Sequence, residues 1–424
     1  LAELRGKLLG RLADPELRGH NFGNLGNAFR PLGQSKRATE LYIEALSIFR
    51  EIGDRQGEGK QLSNLANAYH DLGQFERAAK FNEDALVIFR EIGDRNREGN
   101  RLGHLGWVYY FLGQFERAIR FEEKALTIAR ETGPRQLEGT YLSTQGKAYH
   151  ALGQVERAIK LEREALTIAR ETGDRRVEGG ALVNLGCAHH DLGQFKRATK
   201  FYEQALAIAI ETGHRRGEGT DLGNLGHVYR DLGRVEQAVK SYEQALAIAR
   251  ETNDRRNEGV WLRSLGIVYC ALGQIQQAIK YHEKSLAIAR EIGDRQGQSQ
   301  CLLGLGKALL AGGQLSESRQ HCEEALALDM PQISHLAALT LGGVLLHQHN
   351  LAAGQAFEDA TTRCQALLDK TADLYEPRYT LAAALVGQAV CDPRWAEESE
   401  RAELLGPALA EYRRALEITA APGV

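Results

Sequence analysis

Two thiol–imidazole groupings are the first residues of this chain whose types suit chemistry. Cys187, His189 and His190 crowd together, and His321 adjoins Cys322. On a helix Cys187 and His190 share a face, a spacing at which a thiolate and an imidazole can hold one metal ion or pass a proton. A metal site needs three or four ligands, and no second pair stands at ligand spacing. A Cys–His nucleophile needs an orienting carboxylate, and the spacing specifies none. His189 also falls in register with Tyr69, Tyr109, Tyr149 and Tyr229, a column of large residues that reads as core. Gly146-Lys147 and Gly306-Lys307 suggest a phosphate loop, but Ala follows each lysine and the upstream glycine spacing is wrong. The expectation is no metal, no cofactor and no catalytic residue.

The 424 residues carry 53 Lys+Arg against 56 Asp+Glu, a formal charge of −3. That balance disfavours a nucleic-acid binder, whose affinity depends on a strong positive excess. No apolar run approaches the roughly 20 residues of a membrane span, and no signal peptide opens the chain. Six cysteines without a CxxC pair suit a reducing compartment, so a cytoplasmic location is expected. The first residue is Leu1 and the single methionine is Met330, so the chain is expected to be a piece of a longer polypeptide.

The elements that must position any site are announced by glycine. There are 45 glycines and only eight prolines, and the glycines recur in register. Gly33, Gly73, Gly113, Gly153, Gly193, Gly233, Gly273 and Gly313 stand 40 residues apart. A second row runs from Gly53 to Gly293 with Asn253 in one place, and Asn is the other residue that tolerates left-handed backbone. A period of this length means stacked structural repeats. In residues 54–93, Asp54 caps a helix carrying Leu62, Leu65, Ala66, Tyr69 and Leu72 on one face, and Gly73 ends it. A second helix from Phe75 turns Ala78, Phe81, Ala85, Leu86 and Phe89 inward, and Gly93 stops it. Each unit is a helical hairpin that must stack on its neighbours to bury its apolar face. Glu76 with Lys80 and Glu156 with Lys160 stand at (i, i+4) and are expected to pair on the solvated side.

Leu222, Leu225, Gly226, Tyr229, Gly233, Ala238, Tyr242 and Ala245 together resemble the signature of the tetratricopeptide repeat. The 40-residue period is similar to that of the Pins family of G-protein-signalling modulators and of the repeat arrays of bacterial NLR-like (STAND) ATPases. This resemblance implies an all-α, right-handed superhelical solenoid of antiparallel hairpins. Residues 1–18 are expected to be the remnant of a preceding repeat helix, with Asp14-Pro15 opening the next unit. Seven regular repeats are then expected over 19–298, three divergent hairpins over 299–418 and a frayed tail over 419–424.

The resemblance also implies that the first helix of each hairpin lines a concave groove. Columns that vary between repeats should hold the binding specificity, since invariant columns are explained by stacking. The expected groove residues are Asn24, Asn27, Asn64, Asn67, His104, Trp107, Tyr110, Phe111, Lys147, His150, Asn184, His190, Asn224, His227 and Arg230. Their asparagines can hydrogen-bond an extended peptide backbone, or neighbours within the stack. Trp107, Tyr110 and Phe111 share one helix face and form a candidate hot spot, although Phe111 can also pack on the adjacent repeat. The basic clamp with which co-chaperone repeats hold acidic tails is missing, since its column reads Gly23, Ser63, Gly103, Ser143, Val183, Gly223 and Arg263. A protein-interaction module is expected, binding a peptide or protein surface in the groove, as the sensor array of a STAND-type signalling protein. Its partners would include an NTPase or effector domain of the same polypeptide, but neither nucleic acid nor membrane. The alternative is a self-associating structural scaffold.

Overall fold

The computed structural model describes residues 14–133, 135–369 and 375–420, and among them the chain is all-α. Helices pair into hairpins across short turns. The first pairs are α1 (Pro15–Phe29) with α2 (Ser35–Glu51), α3 (Arg55–Asp71) with α4 (Phe75–Glu91), and α5 (Arg95–Phe111) with α6 (Phe115–Thr132). Next come α7 (Arg135–Ala151) with α8 (Val155–Thr172), then α9 (Arg175–Asp191) and α10 (Phe195–Glu211), and α11 (Arg215–Asp231) with α12 (Val235–Glu251). The series continues with α13 (Arg255–Ala271) and α14 (Ile275–Glu291), then α15 (Arg295–Ala311) and α16 (Leu315–Ala327). It ends with α17 (Pro331–His347) and α18 (Ala353–Leu368), and α19 (Tyr375–Cys391) and α20 (Glu398–Ala420). The described residues fall into two compact units, one ending at Ala188 and one beginning at His189. No described helix is long and apolar enough to cross a membrane.

The helix limits follow local chemistry. Asp54 and Asp94 accept the backbone N–H of the third helical residue, each at 2.9 Å, which satisfies one of the orphan donors of a helix start. Asn253 takes φ 52° in a row where Gly53 and Gly93 take 72° and 70°, so it substitutes for glycine on conformational grounds. Asp14 caps α1 by accepting the Glu16 N–H at 3.0 Å. Residues 15–18 therefore begin the first hairpin, where a remnant helix was expected to end at residue 18. The remainder of that expected remnant, residues 1–13, lies outside the described residues. At the other end α20 runs through Ala420, so 419–420 continue the helix and only 421–424 of the expected tail fall outside the description.

In each unit the cores lie between the helices of a hairpin and between successive hairpins. The alanine column Ala38, Ala78, Ala118 and Ala158 is buried in the first unit, as Ala198, Ala238 and Ala278 are in the second. Ser318 replaces that alanine in α16 and satisfies its hydroxyl by donating to the Gly306 carbonyl at 2.6 Å. Tyr42, Phe49 and Phe89 are among the largest fully buried side chains of the first unit. Burial of each such side chain contributes roughly 1.5–3 kcal/mol.

The expected Glu76–Lys80 and Glu156–Lys160 pairs are not the ones that form among the described residues. The ion pairs staple hairpin to hairpin instead. Glu58, nearly buried, takes Arg50 Nε at 2.8 Å from the preceding second helix and Arg55 Nη1 at 2.6 Å from its own first turn. The pattern recurs at Glu98 with Arg90 and Arg95, and at Glu258 with Arg250 and Arg255. Burial raises the Glu98 carboxyl, but hydrogen bonds from Arg90 and Arg95 outweigh it and leave the group below its ordinary range.

Candidate functional site

The expected groove residues all stand on first helices, but their polar groups do not form one ladder. In α1, Asn24 and Asn27 are exposed, and Asn27 Oδ1 accepts the Tyr42 hydroxyl at 2.8 Å. In α3, Asn64 and Asn67 are half-buried, and Asn64 Nδ2 donates to Gln61 Oε1 at 3.1 Å. Asn184 donates to Ser143 Oγ at 3.2 Å and to Glu162 Oε1 at 2.8 Å. In the second unit His227 Nδ1 meets the Tyr242 hydroxyl at 2.8 Å, and Asn224 and Arg230 are half-buried. His190 and Arg230 both converge on Asp231, each at 2.8 Å. Hydrogen bonds to Asp191 and Asp231 push the His190 imidazole up to about 9. Several of these amides and imidazoles therefore hold the stack together rather than facing outward unoccupied. His150, in α7, is half-buried.

The aromatic group is assembled as the spacing implies. Trp107 stacks on Tyr110 at 5.9 Å between ring centroids, and Phe111 meets Trp107 edge-on at 4.9 Å. Phe111 also stacks on Phe75 of the preceding hairpin at 5.1 Å and still remains 45% exposed. It therefore both packs on the adjacent repeat and presents apolar surface.

Beside this group opens a cavity of about 430 Å³ in the first unit, formed by α5, α7 and the start of α9. His104, exposed, and Trp107 line it from α5, Tyr141 and Lys147 from α7, and Arg176 from α9. The Lys147 ammonium lies 4.9 Å from the centre of the Trp107 ring, a cation–π contact. Glu122 reaches the cavity from α6, the second helix. It arrives through a gap in side-chain cover: a Cβ at Gly106 would stand 2.4 Å from Glu122 Oε1, and one at Gly103 would stand 2.2 Å from the Tyr141 ring. Glycine at these two places is what lets an acid and a ring come together between helices.

Glu122 is 1% exposed, and its Oε2 has no hydrogen-bond partner. Burial raises its carboxyl well above the usual carboxylate range. One hairpin on, Glu162 is equally buried with a second unpartnered Oε2. Burial pushes its carboxyl up to about 8, against the opposing pull of Lys147 and of hydrogen bonds with Ser143 and Asn184. Arg101 is also buried, and Asn82 Oδ1 accepts from its Nη1 at 3.1 Å. Burial and the Glu122 charge together raise the Tyr141 hydroxyl.

Sequence reasoning selected Trp107, His104 and Lys147 but missed Arg101, Glu122, Tyr141 and Glu162. The signal existed at the same 40-residue spacing. One second-helix column reads Tyr42, Asn82, Glu122, Glu162, Tyr202, Tyr242, His282 and Cys322, and all of it is buried. A first-helix column reads Gln61, Arg101, Tyr141, Ala181, Asp221, Trp261 and Cys301, also buried throughout. Columns that are buried yet vary in polarity are the informative ones in a repeat array.

The tetratricopeptide repeat model matches residues 18–91, 60–131, 136–211, 177–251, 218–291 and 258–330. Among solved structures, the apo form of the quorum sensor NprR from B. thuringiensis is similar with a TM-score of 0.61 at 16% identity. That match covers 77% of this chain and 92% of the other. A Rap protein complexed with Competence and Sporulation Factor gives 0.56 at 16% identity, covering 83% and 97%. The STAND protein with a tetratricopeptide repeat sensor from Pyrococcus horikoshii gives 0.56 at 15% identity, covering 87% of this chain and 55% of the other. At these identities the likeness is one of fold. No curated protein matches the sequence. With the family model spanning most of the hairpins, the chain belongs to the tetratricopeptide repeat family.

Proposed function

We propose that the chain binds a peptide or protein segment along the face of its first helices, and that α5 and α7 carry the main anchor. The supporting observation is the cluster of half-buried Trp107 and Tyr110 with exposed Phe111 beside an open cavity, because partly exposed aromatics next to a concavity are the usual composition of a binding hot spot. The role is recognition, with no chemical step assigned to the chain. The Rap structure holding Competence and Sporulation Factor supports a fold of this kind taking a regulatory ligand. The STAND sensor from Pyrococcus horikoshii supports a regulatory array attached to an NTPase or effector domain in a longer polypeptide.

The test is capture from native lysate on the wild-type chain and on a Trp107→Ala/Tyr110→Ala chain side by side, read by mass spectrometry. A partner held by the first and lost by the second is the expected result. Equal retention of every partner would remove the first-helix face as the site.

A further inference from the structure

We propose that the cavity beside Trp107 is a cation site, which takes an alkylammonium or guanidinium group and pairs it with the Glu122 carboxylate. The inference deepens the binding reading above by assigning a ligand chemistry to one place on the same face.

Two buried glutamates, Glu122 and Glu162, stand on successive second helices, each with Oε2 unpartnered. The chain supplies one ammonium to them, that of Lys147, which acts on Glu162 and lies over the Trp107 ring. No ion pair to Glu122 exists among the described residues, although Glu122 lines the cavity. Lys147 serves Glu162, and Arg176 stands at an exposed position of the lining, so Glu122 is the acid left without a counter-charge. A buried carboxylate with no counter-charge is costly, so burial shifts Glu122 toward its protonated form.

Shape agrees with charge. In the same column Tyr42 and Tyr242 place a ring, bonded to Asn27 and His227 respectively. At Glu122 the ring is absent, and about 430 Å³ stands open, room for the tip of a long side chain. Trp107 and Tyr141 supply aromatic faces, which attract cations. The other titratable groups lining the cavity are His104, Lys147 and Arg176, and Arg101 acts on Tyr141. Arg176 opposes the Lys147 charge. The ligand therefore enters against Lys147 and Arg176 on one side and is drawn to Glu122 on the other.

Binding balances as follows. The ligand keeps its proton and its positive charge, the Glu122 carboxyl loses its proton to buffer, and the two form a charge-assisted hydrogen bond. Affinity should therefore rise with pH until the ligand itself deprotonates.

The test is isothermal titration calorimetry of the full chain with n-butylammonium, n-butylguanidinium, butyrate and 1-butanol. Each titration is repeated in two buffers of different ionisation heat, so that released protons are counted. The two cations are expected to bind with a net release of protons to the buffer. Glu122→Gln should weaken them at least tenfold and abolish the release, while Glu116→Gln, at an exposed position on the same helix, should change nothing. Butyrate or butanol binding as tightly as the cations overturns the proposal, as does unchanged affinity in Glu122→Gln. If Glu122→Gln does not fold, the wild-type pH series decides: affinity for butylammonium that is flat from pH 5 to 8 is equally fatal. A capped lysine peptide and 1,4-diaminobutane then distinguish a protein side chain from a free diamine as the source of the cation. Loss of partner capture in the Trp107→Ala/Tyr110→Ala chain, combined with no cation binding by wild type, would sink the cation site alone. The reverse pattern would sink the broader face and leave the cavity.

Discussion

At the residue scale, the decisive groups are acids placed where a stack normally buries rings. Glu122 and Glu162 occupy the column of Tyr42 and Tyr242, and burial raises both carboxyls. A carboxyl raised in the folded state contributes most below its unfolded value, and that contribution is lost as pH rises through the folded one. For Glu162 the window runs from the ordinary carboxylate range up to about 8. Glu122→Gln removes the same liability at its site. Its midpoint of thermal unfolding should exceed that of wild type at pH 8. The gap should close by pH 4. Parallel melting curves at the two pH values would show that Glu122 is ionised without penalty and would contradict its assignment as a buried, unpartnered acid.

At the element scale, hairpins are tied together by the Arg–Glu staples, and one staple is missing an arm. Arg50, Arg90, Arg130, Arg170, Arg250 and Arg290 share a column in which the remaining member is Ile210. Ile210 is 59% exposed. The staple acid that follows it, Glu218, keeps its contact with Arg215 at 2.6 Å, but its side chain is 17% exposed against 9% for Glu58. Ile210→Arg should supply the absent arm. We expect stabilisation of about 0.5–1 kcal/mol at low salt, fading as salt is raised, because the pair lies near the surface. Calorimetric melts at two salt concentrations check this. A loss of stability would mean that Ile210 packs against something the arginine column does not.

At the scale of the whole molecule, hairpins within each of the two units pack on their chain neighbours, so the stability of a unit is a sum of local terms and nearest-neighbour interfaces. The most irregular hairpins lie at the end of the chain: α16 is shorter than the other second helices, and α20 contains Pro407. Hydrogen exchange followed by mass spectrometry should therefore show a gradient. Amides of α3 to α8 should exchange slowest and those of α17 to α20 fastest, by at least about tenfold, the equivalent of 1.4 kcal/mol in local opening. Uniform protection along the chain would indicate one cooperative unit and refute the additive picture.

The sequence by itself determined the helical hairpin, its 40-residue period, the capping aspartates and the left-handed turn at each hairpin end. These depend on residues within a few positions of one another, and repetition averages away the exceptions. It also located Trp107, Tyr110 and Phe111 on one face, since three positions on one helix suffice for that. The tertiary structure alone decided which polar residues were consumed by the stack. Asn27 is held by Tyr42, and Asn184 by Glu162, because each bond joins two helices whose approach no local pattern encodes. It alone decided the cavity as well. Gly106 on α5 leaves the room that Glu122 of α6 occupies, and Gly103 leaves the room for Tyr141 of α7. The ionisation of a carboxyl depends on what surrounds it in space, and here three different helices supply those surroundings.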